Sequence, residues 1–393
     1  MKRILFVIDS LVCGGAEKSL VSLLETLSQT EYTMDLMLLK RGGVFESLIP
    51  NNVNIVEPPY YYRYLQGEKV KSIFSLLKCK FYRIYTSILL RLLKNKYSVP
   101  QIIFIGNRPA VQNEFKKLNY DVAVAYSQGV PTYIVADLIK AKKKFAWINC
   151  DYINTTYNKS FDYNYYKKVD YMVAVSKYVY DSLSAIKSEY KQKRQYITDI
   201  INPKIILSSS ELKKNNEVSA YSGFKIVTVG RLEWVKGYNL VVKAAKILKQ
   251  NGLNFKWFII GEGPERKNIE QEIATNHLEN TICLLGLKAN PYPYMKSADL
   301  YVQTSLKEGL GLTVIEAMIL NKAIVCTNFT TANELINNHC TGEIVAIDAN
   351  SIANKIIELY NDHEKISSLE NNLKNSKKYD TTSEAKKFID LIK

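Results

Sequence analysis

Along this chain, short unbroken apolar runs alternate with longer stretches in which apolar residues recur every three or four positions. The runs are Ile4-Leu5-Phe6-Val7-Ile8, then residues 122–125, 144–148, 171–175, 224–229, 257–260, 281–284, 300–302 and 323–325. Val- and Ile-rich runs without polar alternation predict strands buried on both faces, as in parallel sheets covered by helices. Helical periodicity is clearest at residues 18–27 and 238–249. Both halves open alike. Strand 3–8 leads into Cys13-Gly14-Gly15-Ala16-Glu17 and a helix, and strand 224–229 leads into Gly230-Arg231 and, past Lys236-Gly237, another helix. Two such units in tandem predict an α/β chain of two Rossmann-like, doubly wound parallel-sheet domains. We place the first at residues 1–200 and the second at 222–375. Between them lies a linker, 201–221, polar from 208 onward, and a closing helix at 376–393 is expected to pack back toward the first domain.

One segment breaks the alternation. Residues 68–97 read as a long helix or helical hairpin in which Ile73, Phe74, Leu76, Leu77, Phe81, Ile84, Tyr85, Ile88, Leu89, Leu92 and Leu93 interleave with Lys69, Lys71, Lys78, Lys80, Arg83, Arg91, Lys94 and Lys96. Glu68 is its only acid. Two readings stay open. The helix can lie on an anionic membrane surface, or it can pack its apolar face on its own domain while snorkelling lysines keep it soluble.

Composition supports a globular chain with a sizeable core: 47% of residues are hydrophobic and 23% charged, over a length of 393 residues that suits two domains. The net charge of +15 is unevenly shared, because residues 1–200 hold 29 Lys and Arg against 17 Asp and Glu. A basic first half suits an anionic membrane, a nucleic acid or an acidic substrate. No nucleic-acid-binding signature accompanies the charge, so no nucleic-acid partner is expected. The six cysteines form no C-x-x-C pair and show no metal-ligand spacing, which points to a reducing cytoplasm and to no metal site. The opening apolar run is cut by Asp9, unlike a signal peptide. No run approaches the ~18 apolar residues of a spanning helix.

Glu308 and Glu316 bracket the segment Glu308-Gly309-Leu310-Gly311-Leu312-Thr313-Val314-Ile315-Glu316. One carboxylate sits in a loop and the other inside a helix. Between them lie backbone N–H groups at the positive end of that helix, which suit a phosphate. Arg231 and Lys236 follow the first strand of the second half, where the carboxyl ends of parallel strands face the ligand crevice. Together they can clamp a diphosphate, Arg bidentately and Lys as a point charge. Standing alone, they would read as solvated surface cations. Gly261-Glu262-Gly263 is a further strand-end turn. Gly14-Gly15 lacks the third glycine of a dinucleotide fingerprint, which counts against an oxidoreductase.

Taken together, these pieces resemble the retaining glycosyltransferases of family 4, which have the GT-B fold of two Rossmann-like domains facing a cleft. The resemblance rests on Gly230-Arg231 with Lys236-Gly237, Gly261-Glu262-Gly263, Gly286 with Asn290-Pro291, Ala298-Asp299-Leu300, and the stretch from Ser305 to Met318. In the first half it rests on Gly14-Gly15-Ala16-Glu17, residues 147–152 and Val175-Ser176-Lys177. It implies that Arg231 and Lys236 hold the pyrophosphate of a nucleotide sugar, UDP being the commonest carrier in the family. Backbone amides from Leu310 through Gly311 and Leu312 to Thr313 would take the distal phosphate. Glu316 would take the ribose hydroxyls and Glu308 the transferred hexose. Gly14, Gly15 and Glu262 complete the expected donor-binding set, with the base near Leu287-Lys288. The resemblance implies no metal and no cofactor. It also implies a surface-glycan acceptor, and the basic first half with its basic segment 68–97 suggests that this acceptor is lipid-linked, at the cytoplasmic face of the membrane.

One position departs from the family. Many members carry histidine in a Trp-Ile-His-x-Asp-like strand end, whereas this chain has Trp147-Ile148-Asn149-Cys150-Asp151, and its first 200 residues contain no histidine. Asn149 can orient a sugar hydroxyl but cannot carry a proton. Transfer in which the leaving phosphate accepts the proton survives this change, so we count Asn149 among the catalytic candidates. The alternative is a binding or accessory protein that keeps the fold without turnover.

Overall fold

The apolar runs become the strands of two sheets in a computed structural model that describes residues 2–12, 14–28, 30–69, 72–212, 215–376 and 379–393. Cys13 of the first turn, Lys71 of the basic segment, Lys213 and Lys214 of the linker, and Lys377 and Lys378 before the closing helix lie outside the described residues. The first sheet contains β1 (Arg3–Ile8), β2 (Thr33–Leu38), β3 (Val53–Val56), β4 (Asn119–Ala125), β5 (Lys140–Ile148), β6 (Tyr171–Ala174) and β7 (Arg194–Tyr196). The second contains β8 (Phe224–Val229), β9 (Phe255–Ile260), β10 (Ile282–Gly286), β11 (Leu300–Gln303), β12 (Ile324–Thr327) and β13 (Glu343–Val345).

Among the described residues every strand pairing is parallel, in the orders β3-β2-β1-β4-β5-β6-β7 and β10-β9-β8-β11-β12-β13. In both sheets the order reverses beside the first strand. Ile4 pairs with Met34 on one side and Val122 on the other. Ile226 likewise pairs with Trp257 and Leu300. Loops leaving such a pair of strands diverge, which opens a ligand crevice at their carboxyl ends.

By compactness the chain divides into two units. Residues 2–12, 16–200 and 382–393 form one, and residues 14–15 with 201–381 form the other. In the first, Ile4, Leu5, Phe6 and Val7 are wholly buried between helices. Its closing helix, Glu384–Ile392, sets Phe388 edge-on to Phe145 and Trp147, with centroids 5.3 and 5.4 Å away. Burying one such ring contributes on the order of 2–3 kcal/mol. In the second unit Trp257 is wholly buried, and its indole N–H donates to Thr228 Oγ1 at 2.9 Å, so no polar atom of the ring is stranded.

β2 was hidden from the apolar pattern by Asp35, which interrupts the run yet is buried. Arg3 donates to it at 3.0 Å, Tyr120 at 2.8 Å and Asn54 at 3.1 Å, offsetting the cost of burial. Part of the stretch read as linker is helical. Asn202 caps the helix Pro203–Ser210, accepting from the Lys204 N–H at 3.0 Å, and this helix packs on the second unit.

The basic segment corrects one of its two readings. It forms the helix Ile73–Leu92, capped by Ser72, followed by the helix Val99–Phe115. The face that meets the domain is mixed: Tyr82 sits edge-on to Tyr61 with centroids 6.3 Å apart and packs on the domain core, and Leu76, Leu89 and Leu90 are half-buried. Cys79 and Thr86 are the buried residues of this helix, and Thr86 donates to Asn107 Oδ1 at 3.0 Å. Gly106 allows the close approach, since a Cβ there would sit 2.3 Å from Thr86 Oγ1. Ile73, Phe74, Leu77, Phe81, Ile84, Ile88 and Leu92, which form the stripe on the other side, are exposed. The helix does not bury its apolar stripe on its own domain.

Candidate active site

Three strand-end turns of the second unit are stitched together through their backbones. After β8, the Gly230 N–H donates to Ile260 O at 3.0 Å and the Leu232 N–H to Glu262 O at 3.0 Å, tying the turn of Arg231 to the turn of Glu262. The glycines there are needed for proximity: a Cβ on Gly261 would lie 1.9 Å from Gly230 O, and one on Gly263 2.3 Å from Leu232 O. Gly237 adopts a left-handed conformation (φ 67°), and a Cβ there would lie 2.2 Å from Thr304 O. The Leu306 N–H donates to Val235 O at 2.8 Å, joining the Lys236 turn to the loop after β11.

This stitching sets Lys236 against Glu308. Lys236 Nζ lies 2.6 Å from Glu308 Oε1. Ser305 Oγ donates to the same oxygen at 2.6 Å and Gln303 Nε2 at 3.0 Å. Gln303 is itself fixed, because its Oε1 accepts from Tyr301 OH at 2.6 Å and Thr313 Oγ1 at 3.2 Å. Three donors converge on one carboxylate oxygen, and Oε2 has no protein partner among the described residues. The result is a half-buried, charge-compensated carboxylate aimed by neutral groups.

The helix Leu312–Ile319 begins at Gly311, whose left-handed backbone (φ 89°) excludes a side chain. The first N–H groups of a helix have no partner within it, and here they belong to Leu312 and Thr313. Glu316 is buried in this helix and accepts from Tyr292 OH at 3.0 Å. Burial, and then the Glu316 carboxylate, push the Tyr292 phenol well above its ordinary range, so it remains a donor.

Arg231 pairs with Glu233 at 3.0 Å, both partly exposed, and Glu262 Oε1 lies 2.5 Å from Arg266. Lys288, near the expected base position, bonds Glu217 at 3.0 Å, which raises its pKa. Gly14 and Gly15 lie in the turn after β1, with Gly15 opening the helix Gly15–Leu27.

Asn149 stands at the end of β5 in the first unit. Its backbone N–H donates to Gln128 Oε1 at 3.0 Å and its Nδ2 to Tyr126 O at 2.6 Å. Those bonds fix which end of each amide points where. Asn149 Oδ1 and Gln128 Nε2 are left buried without a hydrogen-bond partner, as is Asp151 Oδ1. The two amides thus leave one acceptor and one donor unfilled, and a hydroxyl can supply both complements. Burial pushes the neighbouring Cys150 thiol up to about 11, so it is not a nucleophile at neutral pH. Gln303, Tyr292 and Gln128 were not singled out from sequence. Gln303 and Gln128 stand where an apolar strand turns polar, as in Tyr301-Val302-Gln303-Thr304-Ser305 and Ala125-Tyr126-Ser127-Gln128, whereas Tyr292 opens the helix Tyr292–Ser297.

Residues 209–376 match the family model of the glycosyl transferases group 1. That stretch of the chain is similar to a group 1 glycosyltransferase domain. Over 349 residues the chain is 26% identical to a Campylobacter jejuni enzyme, covering 88% of this chain and 87% of that one. That enzyme is the N-acetylgalactosamine-N,N'-diacetylbacillosaminyl-diphospho-undecaprenol 4-alpha-N-acetylgalactosaminyltransferase. An uncharacterized glycosyltransferase of Methanocaldococcus jannaschii is 32% identical over 125 residues, 32% of this chain and 31% of that one. The structure of the Anabaena protein HepE in complex with UDP-glucose superposes with a TM-score of 0.73 at 17% identity, over 100% of this chain and 99% of that one. The likeness shows the fold, which is GT-B.

Proposed function

We propose that this glycosyltransferase moves a hexosyl unit from a UDP-linked sugar to a lipid-linked surface-glycan acceptor, with retention and without a metal, at the cytoplasmic face of a membrane. The observation that carries the donor half is Lys236 bonded to Glu308 within the network of Gln303 and Ser305, in the loop that leads to the helix Leu312–Ile319. When a donor enters, Lys236 and Arg231 neutralise the pyrophosphate, and the amides of Leu312 and Thr313 hold its distal oxygens. Glu316 accepts from the ribose and Glu308 Oε2 from a hexose hydroxyl. The bond from the anomeric carbon to the leaving phosphate breaks, and the acceptor oxygen bonds to that carbon on the same face. The acceptor's proton passes to the departing phosphate oxygen, so Asn149 has only to orient the acceptor hydroxyl. HepE with UDP-glucose and the undecaprenol-linked substrate in the Campylobacter enzyme's name support the choice of donor and acceptor class.

Incubation with a panel of UDP- and GDP-sugars tests this reading. We expect slow hydrolysis of at least one UDP-sugar, with the α-anomer released first when followed by NMR. Absence of binding to every sugar nucleotide at millimolar concentration would rule it out.

A further inference from the structure

The helix Ile73–Leu92 carries Ile73, Leu77, Phe81, Ile84, Ile88 and Leu92 at exposures from 47% to 73%. At 3.6 residues per turn these six fall within an arc of roughly 100°. Cys79 and Thr86, the buried residues, lie on the opposite side. The Thr86–Asn107 bond and the close approach at Gly106 hold the helix in that rotation. A soluble helix ordinarily turns such a stripe inward; this one is fixed with the stripe facing out.

Charge indicates what covers it. Residues 69–97 contain eight Lys and Arg and no Asp or Glu. Lys78 and Lys80 flank the arc and Arg91 lies at its edge, so apolar insertion and cationic contact would occur together. A second copy of this helix would bring like charges into apposition, which opposes self-association. We infer that the helix Ile73–Leu92 docks in the plane of an anionic lipid bilayer, its Leu77–Phe81–Ile84 stripe inserted among the acyl chains and its lysines and arginines at the headgroups. Among the described residues no helix is long and apolar enough to cross a membrane, so this contact is interfacial. The inference stands on the helix alone and does not depend on the donor assignment.

Vesicle co-flotation of the full chain is the test. Wild type should float with phosphatidylglycerol-containing vesicles and much less with phosphatidylcholine alone. The triple variant Leu77→Ser/Phe81→Ser/Ile84→Ser and the triple variant Lys78→Gln/Lys80→Gln/Arg83→Gln should each bind at least ~100-fold more weakly. These side chains are exposed, so thermal unfolding and UDP-sugar hydrolysis in solution should be unchanged, which separates failure of this inference from failure of the proposed transfer. Vesicle binding that neither variant weakens would overturn it. So would a dimer in light scattering that the serine variant dissolves, which would make a second copy the occupant.

Discussion

The two units end their central strands in polar residues of opposite character. In the second unit the residues after β8 and β11 form a compensated set, with Lys236 and Glu308 neutralising each other while Gln303 and Ser305 complete the carboxylate's hydrogen bonds. In the first unit the residues after β4 and β5 are neutral amides with one buried acid, and Gln128, Asn149 and Asp151 each keep a buried atom without a partner. A cation already held at the strand end suits a diphosphate, which it can meet by turning from Glu308. Unfilled amide positions suit hydroxyls, which bring both a donor and an acceptor. On this reading the donor side is built before its ligand arrives, and the acceptor side is completed by its ligand.

The largest test of the contrast is Lys236→Ala, which should lower kcat/KM by ~10²–10³-fold, the loss expected for one group facing developing charge. Glu308 would then lack its cation, so its own role would be weakened as well. Gln303→Leu should cost ~10–100-fold in steady-state assays, because it removes one donor from Glu308 and strands Tyr301 and Thr313. Thermal unfolding should fall in the same variant. On the first unit, Asn149→Ala should cost ~10-fold in transfer while leaving UDP affinity unchanged. Asn149→His sharpens the point: a change within ~10-fold would fit a proton taken by the leaving phosphate. A gain of several orders of magnitude would show the natural chain to be an accessory protein rather than a working enzyme.

The smallest expected effect concerns Asp199, another acid buried in the first unit. Burial, outweighing its Ser19 hydrogen bond, raises its carboxyl to about 7. The unfolded value is ~3.9, so the fold favours the protonated form. Its cost is absent below pH ~4, grows as pH rises and is complete above the folded value. Asp199→Asn should therefore raise Tm by several degrees at pH 8 and leave it unchanged at pH 4, read by calorimetry across that range.

Much of the fold was legible because parallel strands buried on both faces write themselves as continuous apolar runs. Strands carrying a buried carboxylate did not. β2 carries Asp35 and β13 carries Glu343, each buried and offset by partners that are distant or on other elements: Arg3 and Tyr120 for one, and Lys355 and Lys365 for the other. Arg231, Lys236, Glu308 and Glu316 could be picked out from strand-end position and spacing. Gln303 could not, because a lone glutamine at a strand end has no meaning until Tyr301, Ser305, Thr313 and Glu308 surround it. The helix Ile73–Leu92 was legible as amphipathic and basic. Which face it turned outward depended on Gly106 and Thr86, a contact between two helices that periodicity does not encode.

Titration of UDP into wild type, Arg231→Ala and Asn149→Ala, followed by calorimetry, tests most directly the claim that the second unit alone holds the donor's nucleotide. We predict binding by wild type, ~10–100-fold weaker binding by Arg231→Ala, and affinity within about twofold of wild type for Asn149→Ala. Unchanged affinity in Arg231→Ala, or an equal loss in both variants, would contradict it.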